Sequence, residues 1–574
     1  MNFTQQKDMV IFLKETNRKT LINNLANSFP LKKLVKYLSV KISTLMLKAG
    51  YYRSPIALIA SRLLISIILL MFSFLTLMVY VLSNYVYALY LAFIIVALAT
   101  LVFISPFLQV FLLIRDRREG LKKELPYFLL YASVLQHAGI SMYTSLTRLI
   151  KSNVFKYLKK EAMVFLRDVR FLGKDPLTAL DNLAKNSPLK EFQDIIYGYT
   201  SLIRSGGDVA KYLEEKTKDL LKELKFKWKI YAERSTDIGE SIASMFLMLT
   251  LLILIGSIIL PSDIGLIIVT LNFLVIPIIA IISLIIIDSL LPEILEFKRK
   301  HLKYPLIAAL LSIPPAYFAY NTFNSLPLVV LIVLLSITLI NGISYYRERK
   351  IAKSIENALP EFLRDLTEYR KMGFTPAQAI IRISWAKKYN KHFDRLLNNM
   401  SSHVRMGLGL NKLPKTCSWL FNYVVFILNE IEESGGGSPV ILEELTHFVN
   451  EVRYIKAEAR KSLFIYELIA YLTPVLLTFS LALVLKLASA LIEIDSSYST
   501  FSSMLGLTFN FDEIFEQFKI TIIEASLTFA LLTSKVIDFT LRNTLRGFFI
   551  LLIAGLSFII APYVSEYIFS IIAS

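Results

Sequence analysis

A charged module occurs twice in this chain, and a long apolar run follows each copy. The first copy reads Glu124-Leu125-Pro126-Tyr127-Phe128-Leu129, then Ala138-Gly139-Ile140-Ser141, and later Ser205-Gly206-Gly207-Asp208. The second reads Ala358-Leu359-Pro360-Glu361-Phe362-Leu363, then Met372-Gly373-Phe374-Thr375, and later Ser434-Gly435-Gly436-Gly437. From Leu125 to Arg148 the positions map without a gap onto Leu359 to Arg382. This duplication constrains the fold. Two related polar units must fold outside the bilayer while the chain around them crosses it. A soluble unit fused twice to membrane segments reads as a docking platform more than as a pore or a catalyst.

Composition agrees with that division. Hydrophobic residues make up 55% of the 574, and mean hydropathy is +0.56, too apolar for an ordinary soluble globule. Charged residues are 19% and clustered, which marks a polytopic membrane protein with polar inserts. The formal net charge of +18 does not point to nucleic acid, because Lys and Arg crowd beside the apolar runs, as expected of cytoplasmic loops. Cys417 is the single cysteine, so no intrachain disulfide can form. None of the five histidines (137, 301, 392, 403 and 447) pairs with a carboxylate or cysteine at a convincing metal spacing. The first fifty residues are polar and basic, without a signal-peptide core. There is no Gly-x-x-x-x-Gly-Lys-Ser/Thr phosphate loop, no Gly-x-Ser-x-Gly elbow and no His-Glu-x-x-His. The chain is therefore expected to be non-enzymatic, without cofactor, metal or catalytic residues.

About nine stretches can cross a hydrocarbon core, which needs ~20 helical residues. They are Leu63–Leu82; about 86–114, broken by Pro106; Ile238–Leu260; Ile264–Ile287; about 304–320, weakened by Pro314-Pro315; Leu326–Ile340; Leu463–Ile492; about 520–537; and Phe548–Ile572. Their connections alternate in charge. Arg115-Asp116-Arg117-Arg118, Lys298-Arg299-Lys300 and Arg347 to Lys353 are basic, whereas the turns at 83–85, 261–263 and 321–325 carry no Lys or Arg. The loop after the seventh span holds Glu493, Asp495, Asp512, Glu513 and Glu516. The alternation predicts a cytoplasmic N-terminus, an external C-terminus and both modules in the cytoplasm. The expected organisation is a basic cytoplasmic segment at 1–62, two spans in 63–114, a first module at 115–237, four spans in 238–340, a second module at 341–462, and three spans in 463–574 with an acidic external loop at 493–519.

Each module reads as a small helix bundle, which makes the fold class all-α. Leu125, Phe128, Leu129 and Ala132 recur at i, i+3, i+4, i+7, as do Leu359, Phe362, Leu363 and Leu366. Pro126 and Pro360 suit a first helical turn. Gly139 and Gly373 fall where each helix should stop, and Ser141 and Thr375 can cap the next one. Gly206, Gly207, Gly435 and Gly436 mark tight turns before a further helix, for which Asp208 is placed as a cap. Leu213-Glu214-Glu215 recurs as Leu442-Glu443-Glu444.

The pattern Leu-Pro, then Gly-(Ile/Phe)-(Ser/Thr), then Ser-Gly-Gly, followed by membrane helices, resembles the type II secretion F-domain. Two such domains with about nine spans resemble the archaeal branch of that family, the membrane platform proteins of type IV pili and the archaellum. The resemblance covers about 115–290 and 345–490, and the flanking spans match in layout only. It implies a hexameric cytoplasmic secretion ATPase and pilin-like filament subunits as partners, and a homodimer suits the symmetry of a motor base. A secondary transporter is the competing class. Transporters use inverted repeats with broken midplane helices, whereas this repeat is parallel and its best-matched part is polar. A passive scaffold without a motor partner is the other alternative.

Several residues stand out as candidates. Arg148 and Arg382 occupy matched positions and suit either an acidic partner surface or an ion pair inside the module. Lys222, Lys225, Lys227 and Lys229 form a basic helix just before a span, open to anionic lipid or to the ATPase. Glu467 sits near the inner end of the seventh span, and Lys486, Glu524 and Glu566 lie toward the outer ends of the last three. Ionisable residues there cost roughly 2.5–3.5 kcal/mol at a helix centre, so opposite signs at similar depth suggest a pair inside the bundle.

Overall fold

The computed structural model describes residues 32–50, 54–83, 85–152, 154–259, 270–292, 303–323, 325–410, 413, 416–435, 437–494 and 511–573. Every regular element among them is helical, and none is a strand. The chain divides into two compact units, Met1–Thr217 and Lys218–Ser574.

The first unit opens with α1 (Lys32–Ala49), α2 (Pro55–Ser83) and α3 (Val86–His137). Ile42 and Met46 of α1 bury against Ile59, Ala60 and Leu63 of α2 and Val110 of α3. α2 and α3 are stitched by small polar side chains, Ser66 donating to the Ala99 carbonyl (3.1 Å) and Ser73 to that of Ala92 (3.2 Å). Phe72, Phe74, Leu82, Phe93 and Leu101 point outward from this pair. Apolar exposure on that scale suits lipid and not water. The module follows: α4 (Met142–Lys151), α5 (Tyr157–Arg170), α6 (Pro176–Lys185), α7 (Lys190–Ser205) and the start of α8 (Val209–Ile259). The stripe of Leu125, Phe128, Leu129 and Ala132 is buried, as its spacing predicts.

The second unit holds the rest of α8, a single π-helical turn (Leu271–Val275), α9 (Ile276–Leu290), α10 (Lys303–Leu311), α11 (Ile313–Phe323) and α12 (Leu326–Lys371). The second module is the end of α12 with α13 (Pro376–Ala386), α14 (Lys391–Arg405), α15 (Trp419–Glu433) and α16 (Pro439–Ser462). Leu359, Phe362, Leu363 and Leu366 are buried in it. The last three helices are α17 (Phe464–Ile494), α18 (Phe511–Asp538) and α19 (Leu545–Ala573). They pack on one another, and α18 and α19 also pack on α12. Gly342 lies so close to α19 that a Cβ there would stand 2.6 Å from the Leu545 nitrogen.

Pro126 and Pro360 do not start helices. Both lie deep inside the long helices α3 and α12, as does Pro106, and the chain runs helically through 114–115, 237–238 and 340–341. Proline suits a first turn because it lacks an N–H, but a helix already nucleated in an apolar segment extends at little cost per residue and carries the proline within it. Modules and spans therefore share helices, and the compact units part within α8, not at an expected module edge.

Of the expected spans, six helical stretches among the described residues are long and apolar enough to cross a membrane: Leu58–Leu82, Tyr87–His137, Leu271–Leu290, Leu326–Lys371, Pro439–Leu483 and Phe518–Asp538. The stretch at 304–320 is two short helices parted at Ser312, just before Pro314-Pro315. In the last span the apolar helix so identified is the shorter Leu545–Ala561. Residues 1–31, 260–269, 495–510 and Gly436 lie outside the described residues, and with them part of the N-terminal segment, the start of the fourth span and most of the acidic loop.

Candidate functional site

The turn residues do the same work in both modules. Gly139 (φ 76°) and Gly373 (φ 91°) take the left-handed conformation at the end of the first module helix. The following amides reach back, Ile140 to the Leu135 carbonyl (2.9 Å) and Phe374 to that of Tyr369 (3.2 Å). Each helix therefore closes its terminal carbonyls in a Schellman turn. Ser141 then accepts from the Thr144 amide, and Thr375 forms a full capping box with Gln378. Gly206 ends α7 in the same way, with the Gly207 amide donating to Leu202 O (2.9 Å), and Asp208 accepts from the Lys211 amide (3.0 Å). Gly435 is also left-handed. Added side chains at Gly139, Gly206, Gly373 and Gly435 would meet no neighbouring atom.

The repeated Leu-Glu-Glu has a structural counterpart. His137, the last residue of α3, stands 3.9 Å from Glu214, and Lys371, the last of α12, pairs with Glu443 at 3.0 Å. Each contact ties the first helix of its module to the last.

Around these shared parts the two modules differ. In the first, Arg117 forms a two-pronged bond to Glu161, both contacts 2.8 Å and both side chains buried, while its remaining nitrogen donates to the carbonyls of Leu47, Lys48 and Asn186. One guanidinium thus joins α5 to the carboxyl ends of α1 and α6. Glu124 accepts from the amides of Lys156, Tyr157 and Leu158 and caps α5 from another helix. Asp168 lies between Lys174 (2.9 Å) and Arg167 (2.7 Å). Burial alone would raise its pKa, but the bonds from Lys174 and Arg167 outweigh it and hold the carboxyl below its usual range. In the second module a different cluster forms: Lys387 bonds Asp365 (2.8 Å) and Glu361 (2.9 Å), and the Tyr389 hydroxyl donates to Asp365. Asp365, then Glu361, raises the Lys387 ammonium above its ordinary pKa.

The residues singled out for docking are largely engaged within the chain. The Arg382 guanidinium lies 4.0 Å over the Phe374 ring, and Arg148 is half-buried with contacts of its own. On α8, Lys225 pairs with Glu458 of α16 (3.4 Å), Lys227 with Glu223 (2.5 Å) and Lys229 with Glu233 (3.9 Å); Lys222 is exposed.

The expected pairing among the outer charges involves Lys486, whose side chain lies outside the described residues, while a different cluster forms around Glu467. Among the described residues Glu524 has a buried carboxylate oxygen with no hydrogen-bond partner, Glu566 is exposed, and the Lys486 side chain lies outside the described set. Glu467 instead pairs with Arg546, which also approaches Asp538 at 3.4 Å, and Asp538 pairs with Arg349 and accepts from Asn543 (2.7 Å). Beside Asp538, Phe539 is left-handed (φ 58°) and packs against Trp228 (4.8 Å) and Tyr231, whose hydroxyl donates to Val536 O (3.0 Å). This junction brings α8, α12, α17, α18 and α19 together at one level. Sequence reasoning missed it. The available signal was Asp538, a lone carboxylate in a short connection carrying Arg542 and Arg546.

Long apolar helices with outward-facing hydrophobic side chains, joined to two helical modules, define an all-helical, multi-pass membrane protein. Residues 128–261, from the first module through the apolar run that follows it, match the family model "Type II secretion system (T2SS), protein F". That match ends before the second module begins. No curated protein and no solved structure matches the chain.

Proposed function

We propose that the protein is the integral membrane platform of a type IV pilus-like filament, a pilus or an archaellum of archaeal type, that couples a hexameric cytoplasmic secretion ATPase to the insertion of pilin-like subunits. The observation that carries this reading is the continuity of module and membrane helix. α3, α8 and α12 each run unbroken from an apolar segment into a module. A helix is stiff along its axis, so a push on a module moves the attached span as one body. The F-domain match supports the same class. In this reading both modules face the cytoplasm, the N-terminus is inside and the C-terminus outside, the protein acts as a homodimer in contact with anionic lipids, and ATP hydrolysis belongs to the partner.

Two experiments test it. Single cysteines at Lys218, Arg395 and Leu505 in a Cys417→Ser background report the sidedness. Labelling of the first two by an impermeant maleimide in intact cells contradicts the topology. Co-purification of the full-length protein with its secretion ATPase across a salt series tests docking. Charge-led binding weakens as the Debye length falls from ~10 Å at 0.1 M to ~3 Å at 1 M. Glu in place of Arg148 and Arg382, with Lys222, Lys225, Lys227 and Lys229, is expected to weaken binding and abolish filaments while leaving membrane insertion intact. Normal filaments with no associated ATPase would favour a passive scaffold.

A further inference from the structure

The second unit contains a cavity of about 170 Å³ between the module end of α12 and α16. Five cations line it: Arg349 and Lys353 from α12, and Arg453, Lys456 and Arg460 from α16. Glu348 and Glu356 are the carboxylates among its described lining residues. Arg349 pairs with Asp538 at the junction, and Asp538 also attracts Arg460. Arg453 donates to the amide oxygen of Asn357 (3.0 Å) and is drawn to Glu356, which accepts from the Ser418 hydroxyl (2.8 Å). Counted with Asp538, the cations among the described residues of this wall still outnumber the carboxylates, five to three. Like charges held this close repel one another, and an anion between them relieves that repulsion.

The cavity's position narrows the anion. Tyr345 at one edge is five residues beyond Ile340, the end of the expected sixth span, and Arg460 at the other is three before Leu463, where the seventh begins. At 1.5 Å per residue, the near edge of the site lies roughly 5–8 Å of helix length from the apolar segments, and Lys353 and Arg453 at its far edge roughly 15–20 Å. Several Arg and Lys donors converging on one cavity match the oxygens of a phosphate group, which takes several charge-assisted bonds at once. Basic pockets between helices at a membrane boundary suit phospholipid headgroups.

We propose that this cavity is a binding site for a phosphate-bearing anion, with an anionic phospholipid headgroup as the source its depth favours. The inference does not rest on the platform reading. A bound headgroup would bridge α12 to α16, the first and last helices of the second module.

Cys417, the one cysteine, also lines the cavity and supplies the readout. The full chain is placed in nanodiscs of phosphatidylglycerol or of phosphatidylcholine, and the rate of Cys417 modification by uncharged N-ethylmaleimide is measured. Phosphatidylglycerol is expected to slow the reaction about tenfold, given the charge contacts available. Lys353→Glu with Lys456→Glu is expected to remove that difference, while Lys222→Glu on α8 retains it. Lys353→Gln with Lys456→Gln serves if the double reversal fails to fold. Inorganic pyrophosphate added to phosphatidylcholine nanodiscs separates the sources. Protection by pyrophosphate, lost in the double variant, supports the phosphate site with a soluble occupant. Equal rates in both lipids and with pyrophosphate overturn the proposal, as does protection that survives both double variants.

Discussion

The two modules share turns and a stripe of core residues, yet they are held together by different chemistry. The gapless correspondence of Leu125 with Leu359 extends to the start of the third module helix, since α5 begins at Tyr157 and α14 at Lys391. On that alignment Arg117 becomes Ile351, Gly120 becomes Ser354, Glu124 becomes Ala358 and Glu161 becomes Arg395. The buried ion pair and the borrowed helix cap of the first module thus have no counterpart in the second. There, Asn390 caps α14 itself, accepting from the Phe393 amide (3.0 Å), and Ser354 donates to the same Asn390 side chain (2.9 Å). The lesson is that a duplicated fold keeps what fixes the path of the chain and lets its buried polar contacts diverge. The positive-φ glycines and the ties between first and last helices recur; the contacts between α3 and α5 do not.

Site-resolved hydrogen exchange on the full-length protein can break this comparison, because local opening free energies are read module by module. The largest effect is expected from Glu161→Ala, which leaves the Arg117 charge buried and unpaired; losing one partner of such a pair costs about 3–5 kcal/mol. Arg395→Ala, at the equivalent exposed position, should change exchange by less than about 0.5 kcal/mol. Similar effects at the two sites would refute the claim that the modules have diverged.

Substitutions that import the second module's residues into the first sharpen the point. A Cβ at Gly120 would stand 2.4 Å from the Tyr157 ring, so Gly120→Ser should cost about 1–3 kcal/mol through overpacking. Glu124→Ala removes the acceptor for three amides and should loosen the first turn of α5 by about 1–3 kcal/mol. Unchanged protection of amides 156–158 would show that water replaces the carboxylate.

The shared features should respond alike. Gly139→Ala and Gly373→Ala meet no steric contact, so each should cost only the left-handed penalty of about 1 kcal/mol, with equal effect in the two modules. A marked inequality would mean that one of these turns is held by something beyond its backbone.

The smallest effect concerns pH. The Asp168 carboxyl is depressed by Lys174 and Arg167, so its contribution is present above the unfolded value near ~3.9 and fades as pH falls through the lower folded value. Asp168→Asn should remove that acid-sensitive component around α5 and α6. The equivalent position, Ser402, cannot titrate there, so α14 should lack it.

The helix stripes and the turns were legible in the sequence because both are local. The i, i+3, i+4, i+7 spacing needs only neighbours, and glycine at a helix end needs only its own φ. Pro126 and Pro360 were misread because the N1 rule is local, whereas helix length is decided by the apolar segment upstream. Arg117 with Glu161 and Arg349 with Asp538 were not legible. Their partners lie 44 and 189 positions apart, and a single sequence does not record which distant charges meet. The lysines of α8 show the reverse case. They read as a basic helix open to anionic lipid or to the ATPase, yet Glu223, Glu233 and Glu458 lie within ion-pair reach of three of them.

The central claim is that unbroken helices carry motion from module to membrane, and α12 offers the most direct test. Two glycines inserted between Tyr346 and Arg347 interrupt that helix without touching the module core or the apolar segment. The measurement is filament number per cell, alongside co-purification of the secretion ATPase. The account predicts that ATPase binding persists and filaments disappear. Normal filaments on cells carrying the insertion would contradict it.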